Sequence, residues 1–189
     1  MKTTKALLVL FFSLIFIPEI SFSQHVTDSK RAEYIAKTQK VFPGVKQDFF
    51  DIDETWNTLA KLKKAKNQDV VSFATSSGGF KDFVPYGILT FKIKGKKQSL
   101  VLYASFPVNP LYKDYLFLPF KDLTSGKETY GAGRYMDINI HDIKDSLLWL
   151  DFNTSYNPYC AFADNYTCPI PPKENQLKIA VTAGEKKPL

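Results

Sequence analysis

The stretch YGILTFKIKGKKQSLVLYAS, Tyr86 to Ser105, sets two runs of branched and aromatic residues on either side of Lys94-Gly95. Each run, Tyr86 to Lys94 and Gln98 to Ser105, has the length and composition of a strand. A Lys-Gly pair between them signals a hairpin, though more weakly than Asn-Gly would. Runs of the same kind recur outward from this pair: Val70 to Thr75 ending at Gly78 and Gly79, Tyr115 to Phe120, Arg134 to Ile140, Leu147 to Asn153 and Leu177 to Ala183. Trp56 to Leu62 fits either period and is read as a strand. About seven short strands without long helices between them predict a mainly β chain, arranged as a single-domain antiparallel β-sandwich or a partly open β-barrel. One helix breaks the pattern. DSKRAEYIAKTQK, Asp28 to Lys40, has a cap at Asp28 or Ser29 and places Ala32, Ile35 and Ala36 on one side, which predicts a short amphipathic helix lying on something larger.

The chain opens with MKTTK, an apolar run ALLVLFFSLIFIP and small residues at Ser21 and Ser23, the pattern of a cleavable export signal over residues 1–23. The apolar stretch Ala6 to Ile17 is short for a bilayer span and is closed by Pro18 and Glu19. The expectation is an exported protein, periplasmic or extracellular, with no membrane span after cleavage. Residues 24–45 then form the N-terminal helix and its connection, and residues 46–189 one β-rich domain. Loss of Lys2, Lys5 and Glu19 lowers the formal net charge from +6 to +5. Lysines spread along the chain, as at Lys61, Lys63, Lys92 and Lys97, read as solvated strand faces, so no nucleic-acid partner is expected.

Cys160 and Cys168 lie in a loop rich in proline and asparagine. In an oxidising compartment such a pair reads first as a disulfide, with free thiols and a metal site as alternatives. His25 and His141 are the only histidines, and no metal or cofactor is expected. Thr124-Ser125-Gly126-Lys127-Glu128-Thr129 lacks the glycine and the hydroxyl that a phosphate loop needs, and Gly131-Ala132-Gly133 lacks the third glycine of a dinucleotide site. In Arg134 to His141, the residues Tyr135, Asp137, Asn139 and His141 share one side, opposite Arg134, Met136, Ile138 and Ile140. An arginine on the apolar side either reaches the rim or is buried with a partner.

The blocks FKDLTSGKETYGAGRYMD (Phe120 to Asp137), LDFNTSYNPYCAF (Leu150 to Phe162) and TCPIPPKENQLKIAVTAGEK (Thr167 to Lys186) resemble the signature blocks of the domain of unknown function 1684 family. Asp122, Thr124, Gly126, Glu128, Thr129, Gly131, Gly133, Arg134, Asp151, Asn153, Asn157, Cys160, Cys168, Glu174, Asn175 and Glu185 match its motif positions. Lys121 stands where the family pattern has arginine, and Tyr159 where it has a second proline. The resemblance implies that these positions form one unit and implies no activity.

Three functions follow as expectations. The first is a non-enzymatic module for a small-molecule or glycan ligand, with Arg134 as a fork and Tyr130, Asn153 and Asn157 around it. The second is a hydrolase using Glu128 and Asp151 as paired carboxylates. The third is a structural envelope protein.

Overall fold

The computed structural model describes residues 20–188, with side chains from Val26 onward. The predicted export signal lies outside the described residues, except that residues 20–23 begin helix α1, Ile20–Val41. Strands follow as β1 Asn57–Lys64, β2 Val71–Ala74, β3 Phe80–Ile93, β4 Lys96–Ser105, β5 Tyr115–Phe120, β6 Arg134–Asn139 and β7 Leu147–Asp151. They form one antiparallel sheet in the order β6-β5-β4-β3-β1-β7, with β2 pairing β3 beside this path. The sheet curls into a half-barrel, so the described residues are mainly β with one α-helix, as expected. The Lys94-Gly95 hairpin is present: both residues have positive φ, 47° and 77°, the geometry whose twist matches that of the strands it joins.

A bulge gives the sheet two working faces. Pairing between β3 and β4 slips between Pro85 and Gly87. Before the slip Phe83 sits opposite Ser105; after it Leu89 sits opposite Leu100. Alternation would put Phe83 and Leu89 on one side, and the extra residue separates them. Leu89, Phe91, Ile93, Leu100, Leu102, Leu118 and Leu150 fill the concave core. Phe73, Phe83, Tyr103, Phe117 and Tyr135 form a second cluster on the other face. Gly87 is needed at the slip because a Cβ there would meet Leu62 Cδ1 at 2.7 Å and the Lys63 carbonyl oxygen at 2.8 Å.

The expected strand Leu177 to Ala183 is not one. Leu177, Ile179, Val181 and Ala183 alternate into the core as a strand would, but the backbone is irregular. Its backbone pairs in part with the chain after β5: the Leu177 amide donates to the Lys121 carbonyl (2.8 Å) and the Leu123 amide to the Ile179 carbonyl (3.0 Å). The Arg134 guanidinium donates to the carbonyls of Val181 (2.9 Å) and Ala183, and the Val181 amide donates to Asp122 Oδ1 (3.2 Å). At Val181 and Ala183 side chains take the place of a ladder.

Just upstream, Asn175 spans β4 and β5, which pair only at Tyr103 and Phe117. Its Oδ1 accepts from the Val101 amide (2.8 Å), and its Nδ2 donates to the carbonyls of Val101 (2.9 Å) and Pro119 (2.7 Å). One side chain thus satisfies backbone groups of two diverging strands.

Helix α1 forms as predicted and extends further toward the N-terminus, but its docked side is not the apolar one. Ala32 and Ala36 are exposed, Ile35 is half-buried, and the stripe that faces the sheet is Thr27, Arg31, Tyr34 and Thr38. Arg31 donates from Nε to the Asn153 carbonyl (2.8 Å) and from a terminal nitrogen to the Phe50 carbonyl (3.0 Å). The helix is held by hydrogen bonds to irregular backbone, whose exposed carbonyls need donors rather than methyl groups.

Candidate functional site

The residues singled out in the sequence gather around the C-terminal segment. Arg134 and Asp122 form an ion pair of 3.0 Å, each side chain 1% exposed. Asp122 Oδ1 also accepts from the Thr124 amide (2.7 Å) and hydroxyl (2.5 Å), so the Thr124 to Thr129 block is a closed turn packed on the clamp. Asn153 accepts from the Asp53 amide (3.1 Å) and donates to the Asp53 carbonyl and Asp151 Oδ1. Asn157 donates from Nδ2 to the Lys186 carbonyl (2.7 Å) and from its amide to Glu185 Oε2 (2.7 Å). Tyr130 is half-buried, and its hydroxyl donates to the Cys160 carbonyl (3.1 Å). Glu128 is exposed on its turn, while Asp151 ends β7 and accepts from Thr27 and Asn153. No hydrogen bond or ion pair joins Glu128 to Asp151 among the described residues.

Glu185 lies at the centre of this latch. It is 1% exposed and accepts from Asn157 and Gln47, while the Tyr34 hydroxyl lies 3.0 Å from its Oε2 and 2.9 Å from the Asn157 carbonyl, one donor shared by two acceptors. Burial pushes its pKa up to about 7 against those hydrogen bonds and the Arg134 charge.

The opposite face of β6 carries a different site. Tyr135 and Asp137 project away from the Arg134 side, as the period of two predicts, and Tyr115 and Phe117 of β5 project with them. Phe83, re-aimed by the bulge, stacks on Phe117 with ring centres 5.2 Å apart. Tyr34 of α1 covers Tyr156 at 4.7 Å, and Tyr156 extends the edge of β6 through two backbone hydrogen bonds with Tyr135. The Cys160–Cys168 disulfide closes the remaining side. Its loop carries Tyr159 and Tyr166 and is tied to the end of β2 through the Ser76 amide and Cys168 carbonyl (3.0 Å).

Together these walls enclose a cavity of about 330 Å³. Asp137 is the carboxylate in its lining; Lys37 and Lys81 are its cations. The hydroxyls of Tyr115 (2.9 Å) and Tyr156 both donate to Asp137 Oδ1. The side chain keeps surface open to the cavity, yet the surrounding protein raises its pKa, burial outweighing the two tyrosine hydrogen bonds and Lys37. Burial likewise raises the Tyr115 and Tyr156 hydroxyls well above their usual range, so both stay protonated donors.

Among the described residues no group of three or more His, Cys, Asp and Glu could hold a metal ion, and no helix is long and apolar enough to cross a membrane. Sequence reasoning missed this cavity. The available signal was the facing of Tyr135 with Asp137 in β6, set beside the same alternation in Tyr115 and Phe117.

Curled sheet, docked helix and buried arginine clamp define an antiparallel half-barrel protein with an aromatic cavity on its outer face. The family described as "Protein of unknown function (DUF1684)" matches residues 40–186, and the chain belongs to it. The chain is also similar to the solution NMR structure of an uncharacterized protein from Haloarcula marismortui. The TM-score is 0.67 at 27% identity, covering 89% of this chain and 96% of that one. No curated protein matches the chain.

Proposed function

We propose that the chain is an exported, non-enzymatic module that holds a small ligand in the cavity on the outer face of β5 and β6. The observation that carries the reading is the composition of its wall: about 330 Å³ enclosed by aromatic rings, with one carboxylate open to it. Mostly apolar concavities of this size with a few placed polar groups are how small-molecule sites are built. Offset rings also suit the flat face of a sugar or an aromatic ligand. Arg134, Asn153 and Asn157 support the site from behind by holding the C-terminal segment and the Tyr34 end of α1 in place. The Cys160–Cys168 bridge supports a periplasmic or extracellular setting, where such bonds persist.

The test is an amide NMR titration with a panel of monosaccharides, aromatic acids and aromatic amines. The reading expects at least one compound to shift Tyr115, Asp137 and Tyr156, and Ser105→Trp, which fills the lining, to abolish that shift. A panel that moves none of these resonances would sink it.

A further inference from the structure

Resting on that cavity reading, we infer that the ligand carries a cationic nitrogen, an alkylammonium or arylalkylammonium group that pairs with Asp137 between the rings of Tyr115 and Tyr156. Geometry leaves one carboxylate oxygen for it. Both tyrosine hydroxyls donate to Oδ1, and Oδ2 takes no hydrogen bond or ion pair among the described residues.

Among the described residues the cations of the lining, Lys37 and Lys81, make no ion pair with Asp137. Lys37 is bridged to Glu33 at 2.8 Å with both side chains 66% exposed, and Lys81 is exposed with its ammonium 6.0 Å from the Phe83 ring centre. Water screens both lysines and also reaches the Asp137 carboxylate, which lies beside rings whose faces are negative. A ligand that fills the cavity displaces that water and leaves the carboxylate among rings, where a cation gains from the charge and again from the aromatic faces. A neutral hydroxyl could fill Oδ2 but would leave the charge unmatched.

Two near-isosteric probes separate the ideas: 2-phenylethylamine, an ammonium at pH 7, and 2-phenylethanol, neutral with a hydroxyl in the same place. Calorimetry or NMR titration of the full chain is expected to show the ammonium bound at least about tenfold tighter. In Asp137→Asn, which keeps the shape and removes the charge, the ratio should fall to about one. The wild-type ratio decides the matter even if that variant folds poorly. Equal affinity of the two probes for wild type overturns the cationic ligand and leaves the cavity reading standing. Silence from both up to about 10 mM overturns the cationic ligand, and the cavity reading then stands or falls with the wider panel.

Discussion

Arg134 shows how much, and how little, a single residue discloses before its structure is seen. Its place at the start of an apolar strand face was legible, and with it the choice between a rim position and a buried pair. That its fork would grip the carbonyls of Val181 and Ala183 was not, since no local pattern marks which backbone will be left without a ladder. Removing one partner of a buried pair strands the other, so Arg134→Met is expected to cost about 3–5 kcal/mol in urea unfolding, with Arg134→Met/Asp122→Leu recovering part of the loss. A single variant as stable as wild type would show that the clamp does not hold the segment. Asn175→Ala makes a companion case: the amide of Val101 and the carbonyls of Val101 and Pro119 lose their partner, at an expected cost of about 2–4 kcal/mol. Asn175→Asp should cost at least as much, because its carboxylate would be buried facing the carbonyls of Val101 and Pro119.

Among the elements, those with a strong period came through best. Tyr115 to Phe120 is a strand over the span its residues predict, and the Lys94-Gly95 turn sits where the glycine puts it. Leu177 to Ala183 alternates in burial as a strand does, but its backbone meets Lys121 and Leu123 through two hydrogen bonds and then the side chains of Arg134 and Asp122. Helix α1 departs in the opposite sense: its apolar residues predict the docking side, whereas Arg31 and Tyr34 dock it. The disulfide loop can be tested as a unit. By loop entropy alone the Cys160→Ser/Cys168→Ser variant should lose about 2.5 kcal/mol. If the loop also forms the cavity wall, ligand affinity should fall further than the lost stability explains, since Tyr159, Tyr166 and Pro169 would be freed. Calorimetric binding measured well below the unfolding midpoint distinguishes the two effects.

For the molecule as a whole, the latch at Glu185 makes stability depend on pH. Its folded pKa of about 7 lies above the ordinary value of 4.5, so between these the folded chain holds a proton that the unfolded chain has released. Stability is therefore fullest below about pH 4.5 and is lost as the pH rises through about 7, by up to about 3 kcal/mol. Asp137, also raised, acts in the same direction. Urea midpoints should fall across this window for wild type and much less for Glu185→Gln; parallel curves would assign the dependence elsewhere. At this scale the fold class was legible from strand length and turn residues, while the cavity was not. It requires the β3 bulge, the edge residue Tyr156, the disulfide loop and α1 to meet on one face, and no stretch of sequence contains that meeting.

Strand order also decides when the half-barrel can close. β3 and β4 are neighbours in sequence and can zip from their turn, but β1 lies between β3 and β7, and Asn57 must find Asp151. Such distant pairing incurs its loop-closure cost before it returns any contact, which places folding among the slower, millisecond-to-second, class of β proteins. Until β7 arrives, one edge of β1 stands open. During that interval its unpaired backbone is a template for another chain, so self-association is expected to be strongest during refolding, which light scattering after dilution from urea would register.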